Sequence, residues 1–566
     1  MMESTSAPNG ASASNGAWTA AAIVIGICLL STFTLSRPGS KAASSGGGGA
    51  DASVNAGNTD SSGTGQGTDG TVAGDPSSSA DGSTNGVGTG PSGSGGPGSG
   101  GGGTTRSGVG VGPSKTGVGV ASATVGTPAK TPGGLSTPAA KPAGPVTIAG
   151  KTYDCSKNQN AGASDEGVSA TSINFAATVV LTGIAKSFLA DAQYGMEAVR
   201  QRFNRGGGFC GRQINVKYDD DGWNSAKGQQ TIEADIGAKK YFGLAVNPSS
   251  EGLRGAIDSK VIDNAGFPVV GADGMLWGQY NDPWVWPVAT STHSVMHIMA
   301  KDAAKRGAAT YGIVWDKNYK FGEEGHKAFV GMAARLGLKG PGDGGGPGKG
   351  ADQPLNSDNG DFTNEANAFN AACGDKYEKC DFIALLLEPA TAAQWKRNFG
   401  LRDGKVRPKV GIGAPQPLFV DDFARNNCGS QCSNMRVWTS FKPPIPPFDS
   451  EPKVAEYRDA VKGLNRTADV NNPHVEGAYV GMELLVNAIQ LLGPAPTRAA
   501  LRALLDSSTF DSGLGAPGGL KFTAGNHFAA VSAQPFDAIY NVNAFANWRY
   551  AGGGYVTDDA VQEDKP

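Results

Sequence analysis

Residues 173–221 read INFAATVVLTGIAKSFLADAQYGMEAVRQRFNRGGGFCGRQINVKYDDD, a stretch that holds a strand, a helix and a second strand. The run that begins at Ile173 is short, apolar and rich in β-branched residues, which predicts a buried parallel strand. The next segment has apolar residues at spacings of three and four, namely Phe188, Ala192, Met196, Val199 and Phe203. This spacing predicts a helix with one buried face, ending at the glycines 206–208, before INVKYDDD forms the second strand.

The same alternation continues on both sides of residue 290. Before it come a polar helix over 226–236 and the strands YFGLAV and FPVVGAD. After it, helices over 294–306, over 326–336 and around Gln394 alternate with the strands YGIVWD, DFIALLLE, VGIGAP and MRVWTSF. A long helix in VEGAYVGMELLVNAIQLLG and a short helix over 497–505 follow, with strand-like pieces in LKFTAG and FDAIYN. Two successive α/β runs predict two doubly wound lobes.

The first 150 residues differ in composition from the rest. Residues 1–16 are a short polar terminus, and residues 17–35 are uncharged and mostly apolar over about the 20 residues that cross a bilayer as a helix. This predicts a transmembrane segment, or a signal cleaved near Ala42. Residues 36–150 are rich in Gly, Ser, Thr and Pro and contain no Phe, Tyr or Trp. They predict a disordered linker, because they offer too little apolar surface to bury.

Seven cysteines are present, of which Cys28 lies in the apolar segment. An even set of six remains, which favours disulfides over metal ligands because no Cys-x-x-Cys pair accompanies it. Local pairing is expected across two short polar loops and leaves a third pair by elimination: Cys373 with Cys380, Cys428 with Cys432, and Cys155 with Cys210. Disulfides favour an external compartment. We weigh them above Arg37 and Lys41, whose position after the apolar segment favours the opposite orientation.

The charge balance and the missing motifs exclude several functions. Lys and Arg number 48 against 51 Asp and Glu, so the net charge of −3 implies no nucleic-acid partner. The sequence lacks G-x-S-x-G, H-E-x-x-H and G-x-x-x-x-G-K-[ST], which predicts no catalytic residues and makes a hydrolase the least favoured function. His293 and His297 could share a helix face, but no third ligand lies near them in the sequence. We therefore predict no metal site and no cofactor.

Six segments, in order, resemble the type I periplasmic solute-binding proteins of branched-chain amino-acid (Leu/Ile/Val) ABC transporters. They are GVSATSINFAATVVLTG, NRGGGFCGRQINVKYDDDGWNSAKG, NAGFPVVGAD, DFT at 361–363, VEGAYVGMELLVNAI and FDSGLGAPGGLKFTAGNH, and the similarity covers about residues 165–550. The resemblance implies two α/β lobes joined by three crossovers, near Thr290, Asn472 and Gly515. It assigns about 165–290 and 474–513 to the first lobe and about 291–473 and 514–557 to the second, with a Gly-rich insertion from Gly340.

Ligands of such sheets lie beyond the carboxyl ends of the strands, so the loops that follow the strands are the candidate sites. Asn247, Pro248, Ser249 and Ser250 open a helix whose free N–H groups favour a carboxylate, and the serine hydroxyls add donors. The alternative is that they only cap their own helix. The resemblance implies that this loop holds the ligand carboxylate.

The remaining site residues are assigned by the resemblance or by their position at the end of a strand. It implies an aromatic wall at Phe188, which otherwise belongs to the apolar helix face, and an aromatic lid at Tyr319 and Phe321. Three further positions follow strands, namely Asp273, Met275 and Gln416. Asp273 and Met275 stand where related proteins have small hydroxyl residues, and Gln416 where they often have an acid. Glu388 is placed to meet a ligand ammonium, unless it is only the polar end of its strand.

The sequence thus predicts an extracytoplasmic solute-binding protein, membrane-anchored or secreted. It would capture a small amino-acid-like or carboxylate ligand between two lobes for import through an ABC permease. The alternative is an anchored ligand sensor or cell-envelope scaffold, which the long linker favours.

Overall fold

The computed structural model describes residues 145–148, 150–157, 160–340, 348–374, 376–398, 408–541 and 544–566. The predicted polar terminus, transmembrane or signal segment and most of the linker lie outside these residues. The end of the predicted linker is a strand, β1 (Pro145–Ile148), which pairs antiparallel with β2 (Lys151–Asp154). The last residues of the predicted linker therefore form regular structure, contrary to the expected boundary at residue 150.

The first lobe is built on a parallel sheet of five strands in the order β4-β3-β5-β6-β7. Its elements are β3 (Ser172–Val179), α1 (Lys186–Leu189), α2 (Ala192–Arg205), β4 (Gln213–Asp220), α3 (Ser225–Gly237), β5 (Leu244–Asn247), α4 (Ser250–Asp258), α5 (Val261–Ala265), β6 (Val269–Ala272), α6 (Trp277–Asn281) and β7 (Val285–Pro287). The strand and helix predicted from residues 173–205 are both present. Helices on both faces bury β5 and β6 completely, which is why these strands are continuous apolar runs.

The second lobe begins after Thr290 with the same alternation. Its elements are α7 (Thr292–Lys305), β8 (Tyr311–Asp316), α8 (Lys320–Arg335), β9 (Asp352–Leu355), α9 (Thr363–Cys373), β10 (Phe382–Leu386), α10 (Pro389–Arg397), β11 (Gly411–Ala414) and β12 (Met435–Thr439). Helix α8 starts at Lys320, six residues before the start predicted at residue 326. Strands β8 to β12 are parallel.

The chain then returns to the first lobe before it finishes the second. The returning elements are α11 (Pro452–Leu464), α12 (Pro473–Leu492), α13 (Arg498–Leu505), β13 (Thr509–Phe510) and β14 (Leu520–Lys521), and the final ones are β15 (Ser532–Asn541), β16 (Ala544–Tyr550) and β17 (Val556–Thr557). Strand β15 pairs antiparallel with β12, so the second sheet is mixed. Helix α11 packs on α2, and its Tyr457 meets Tyr479 of α12 edge to face. The second crossover therefore precedes α11, earlier than the position near Asn472 that the resemblance implies. The third follows His527, which hydrogen-bonds to Val285 of β7, and so lies later than the implied position near Gly515.

Helix α12 is the central helix of the first lobe. A Cβ at Gly271 of β6 would lie 2.5 Å from the Cα of Gly481, so the two glycines allow the helix to sit directly on the sheet. Among the described residues, Pro473–Leu492 is the one helix long and apolar enough to cross a membrane, but 67% of that window is buried. Burial of this kind identifies α12 as a core helix.

Three disulfides occur in the described residues, with the pairing expected from the sequence. Cys373–Cys380 closes the loop between α9 and β10, Cys428–Cys432 closes a turn before β12, and Cys155–Cys210 ties the segment after β2 to the turn before β4.

Candidate functional site

The loops after the strands of both lobes meet around a small cavity of about 10 Å³. The first lobe contributes Asn247 and Asp273, and the second contributes Gln416. Two further lining residues, Phe441 beyond β12 and His474 in the first turn of α12, were missed by the sequence analysis. The cavity therefore lies between the lobes, where three of the predicted site residues come together.

The loop between β5 and α4 is held rigidly inside the first lobe. The Asn247 carboxamide oxygen accepts from the backbone N–H of Ser249 at 3.0 Å, and its side-chain nitrogen donates to Thr178. The Ser249 hydroxyl donates to Asp221 at 2.8 Å, and the Ser250 hydroxyl accepts from the indole of Trp223 at 3.3 Å. No side chain caps α4, so the N–H groups of its first turn form the polar surface of this loop.

Backbone strain marks the same place. Val246, which precedes the loop and lines the cavity, has a φ of 62°, and Trp223 has a φ of 61°. A β-branched residue pays a steric cost in this left-handed region, and such conformations persist mainly where the surroundings enforce them at functional sites. Neither residue was singled out by the sequence.

Asp273 lines the cavity and, like His474, has a side-chain atom without a hydrogen-bond partner among the described residues. Its Oδ1 accepts from the backbone N–H of Met275 at 3.2 Å and from Gln279 at 3.0 Å. Its Oδ2 is buried and has no partner of strict hydrogen-bond geometry among the described residues, although the backbone N–H and hydroxyl of Ser250 lie close enough to favour the ionised carboxylate. Burial raises the pKa of this carboxyl to about 7. The side chain of Met275, another predicted site residue, contacts the Ser250 hydroxyl, with its sulfur 3.5 Å from the oxygen.

Four aromatic side chains close the other end of the interface between the lobes; we call Phe188, Trp223, Tyr319 and Phe321 the aromatic cluster. Trp223 of the first lobe stacks on Tyr319 of the second with ring centroids 4.3 Å apart. Phe321 and Phe188 lie 5.7 and 5.6 Å from the same indole. Trp223, which the sequence analysis missed, thus joins the three predicted aromatic residues, and these contacts require the lobes to be closed.

Two buried carboxylates add hydrogen bonds across the same interface. Glu251 at the start of α4 accepts from the backbone N–H of Lys320 at 2.6 Å. Glu324 of α8 accepts from the backbone N–H of Trp277 at 2.8 Å. Burial raises the pKa of both carboxyls, that of Glu324 to about 8. The interface therefore contains acids whose ionised form is disfavoured by burial.

Residues 172–536 match the sequence profile of the family described as periplasmic binding protein. The chain belongs to this family. The resemblance inferred from the sequence is thus confirmed, and members of the family are solute-binding proteins. No curated protein sequence matches the chain.

Three solved structures share the fold of this periplasmic binding protein. A fatty acid ABC transporter substrate-binding protein from Thermomonospora curvata has 15% identity and a TM-score of 0.57, over 72% of this chain and 97% of that one. A branched chain amino acid ABC transporter from Thermus thermophilus with bound valine has 15% identity and a TM-score of 0.55, over 69% and 98%. A solute binding protein from R. palustris in complex with 4-hydroxybenzoate has 13% identity and a TM-score of 0.55, over 68% and 97%.

Two predicted site residues of this binding protein use their side chains in hydrogen bonds to the backbone. Glu388 is buried and caps α10, accepting from the N–H groups of Ala390 at 2.7 Å and Thr391 at 2.5 Å. Gln416 lines the cavity, but its side-chain nitrogen donates to the carbonyl of Thr290 at the first crossover, at 3.1 Å. The unpaired polar atoms at the cavity are therefore Oδ2 of Asp273 and Nε2 of His474, among the described residues.

Proposed function

We propose that this protein captures a small amino-acid-like or carboxylate ligand between its lobes and delivers it to an ABC-type importer. The observation that carries the proposal is the cavity between the lobes, with the unpaired Oδ2 of Asp273 beside the start of α4. In this closed arrangement the cavity measures about 10 Å³, room for about one water molecule, so a ligand enters while the lobes are apart. Valine, 4-hydroxybenzoate and fatty acids, named for three structural neighbours, are all carboxylic acids.

The two polar groups of the cavity suit a ligand with both a carboxylate and an amine. The N–H groups that open α4 carry partial positive charge and favour the carboxylate. The unpaired oxygen of Asp273 accepts from an ammonium group, the role that the sequence analysis gave to Glu388. Burial lowers the pKa of His474 to about 3, so this neighbour adds no positive charge.

Capture would proceed by rotation of the lobes about their crossovers. The aromatic cluster and the hydrogen bonds of Glu251 and Glu324 form only when the lobes meet. A ligand that contacts both lobes shifts the population toward this closed state by its differential affinity.

For location, we propose the extracytoplasmic face of the cell membrane. The apolar segment 17–35 and the linker 36–150 would anchor the binding domain, or the segment would be removed as a signal. The three disulfides support an oxidising compartment. The length of the linker favours, as a second candidate, an anchored sensor or scaffold.

A thermal-shift screen tests the proposal. Amino acids, simple carboxylates, amides and aromatic acids are added to the purified protein, and a true ligand raises the unfolding midpoint because it binds the folded state. An amino acid is expected to give the largest rise. If no compound raises the midpoint while a cell-envelope protein co-purifies, the scaffold function replaces solute capture.

A further inference from the structure

A buried cluster in the second lobe lies away from the cavity between the lobes. His293 and His297 lie one turn apart on α7, just after the first crossover. The segment after β17 crosses this helix and brings Asp558 to them. One ring nitrogen of each histidine and one carboxylate oxygen of Asp558 all lie within 4.8 Å of one another. All three side chains are buried.

The distances fit the ligands of a tetrahedral metal ion. Nδ1 of His297 lies 3.2 and 3.1 Å from the two carboxylate oxygens of Asp558. Two ligands about 2.1 Å from a tetrahedral ion are about 3.4 Å apart. An outward shift of the carboxylate by about 0.3 Å therefore allows both atoms to bind one ion.

The Nε2 atoms of both rings lie near the same residue, Asp564. Nε2 of His297 lies 3.3 Å from the carboxylate of Asp564, and Nε2 of His293 lies 3.3 Å from the backbone carbonyl of the same residue. An N–H of His293 directed at that carbonyl fixes the tautomer of this ring, so that Nδ1 of His293 carries the lone pair. Metal-binding histidines are commonly oriented by a carboxylate or carbonyl in this way.

An ordinary histidine–aspartate hydrogen bond explains only part of the cluster. Nδ1 of His293 is buried and makes no hydrogen bond to any described residue. Nε2 of His297 is also buried and, although close to Asp564, lacks the geometry of a hydrogen bond. Buried polar atoms are rarely left without partners, so the unpaired Nδ1 of His293 points to a missing one.

We propose that His293, His297 and Asp558 bind one divalent transition-metal ion of the zinc type. Two imidazoles and a carboxylate are ligands that Zn²⁺ accepts, with a water molecule in the fourth position. Lys301, whose Nζ is 3.7 Å from Asp558, is the competing cation. It also pairs with Asp559, so it keeps a partner when the ion takes Asp558.

The ion would fasten the C-terminal segment to the helix that follows the hinge. Asp564 also pairs with Arg335 of α8, and a Cβ at Gly331 would lie 2.3 Å from its carboxylate carbon. On the other side, the His293 ring packs 4.7 Å from the Trp277 ring of the first lobe. The site therefore lies where the tail, the second lobe and the first lobe meet.

Metal content of the full-length protein, purified without a histidine tag, tests this site. After stripping with EDTA and dialysis against Zn²⁺, mass spectrometry should detect one Zn²⁺ per chain. His297→Gln and Asp558→Asn should lose it, and Asp564→Asn should weaken binding roughly 10-fold, as loss of an orienting carboxylate does. The matched control is His326→Ala, which removes a histidine paired with Asp352 at 2.8 Å on α8 and should keep the ion.

Circular dichroism of each variant separates loss of binding from loss of folding. Co²⁺ added to the stripped wild-type protein should give a visible absorption band that His293→Gln changes. Folded wild-type protein that retains no Zn²⁺ would overturn the site. So would unchanged affinity in His297→Gln and Asp558→Asn, or equal loss in His326→Ala.

Discussion

Two buried carboxylates follow strands in the two lobes, but their hydrogen bonding differs. Glu388 after β10 accepts two N–H groups of α10, whereas Asp273 after β6 uses one oxygen and leaves the other unpaired among the described residues. The difference arises because α10 begins directly after Glu388, at Pro389, while α6 begins only at Trp277. A helix that starts at once binds its own carboxylate, and a delayed helix leaves an oxygen for a ligand.

The largest expected effect is on ligand affinity, which should depend on Asp273 and hardly on Glu388. Asp273→Asn keeps the acceptor for Met275 but removes the charge, so an amine-bearing ligand should bind about 30-fold more weakly, about 2 kcal/mol for a hydrogen bond to a charged group. Glu388→Gln should change affinity less than about 2-fold, because its oxygens face α10. Calorimetric titration of both variants measures this, and a larger loss in Glu388→Gln would reverse the assignment.

The pH dependence of binding should also distinguish Asp273 from Glu388. The ligand for this experiment has a carboxylate but no amine. The pKa of Asp273 is raised to about 7 by burial, so the carboxyl is neutral below this pH and repels a ligand carboxylate above it. Affinity for such a ligand should fall as pH rises from 6 to 8, by at most about 10-fold per pH unit. Asp273→Asn should flatten the profile, and Glu388→Gln should not. A profile that stays steep in Asp273→Asn would assign the proton to another group.

In the protein without ligand, the stability against unfolding should be lowered by loss of the Glu388 carboxylate and not by loss of the Asp273 carboxylate, the opposite of the order expected for ligand affinity. Glu388→Ala leaves two N–H groups of α10 without their cap and should lower stability by about 1–2 kcal/mol, a fall in Tm of about 2–4 °C per kcal/mol.

Asp273→Asn should instead raise the Tm at pH 8. The folded pKa lies above the ordinary 3.8, so the folded state loses stability as pH rises from about 4 to about 7. The gain should therefore vanish below pH 4. A lower Tm for Asp273→Asn at pH 8 would show that its second oxygen has a partner.

The smallest effect is expected at the start of α4. The Ser249 hydroxyl donates to Asp221, so a carboxylate ligand would contact the backbone N–H groups that remain in Ser249→Ala. Affinity should fall by only about 0.5 kcal/mol, at the low end of a hydrogen bond's net contribution. A loss above 10-fold in calorimetry would mean that the hydroxyl itself contacts the ligand.

Several site residues were predictable because they follow strands. Asn247, Asp273 and Gln416 stand at such positions, and the structure brings them to one cavity. His474 was not found because it opens α12, far along the chain from these loops. Trp223 was missed because its partner Tyr319 belongs to the other lobe.

The sequence by itself determined the alternating elements, the family and the two short-range disulfides, since side-chain periodicity and close spacing are local properties. Only the tertiary structure decided which acid keeps a free oxygen, where α11 packs, and that Asp558 meets His297 across 261 residues. Such contacts depend on how whole elements pack together, and the local pattern of a strand or helix specifies its buried face without specifying the distant residue that covers it.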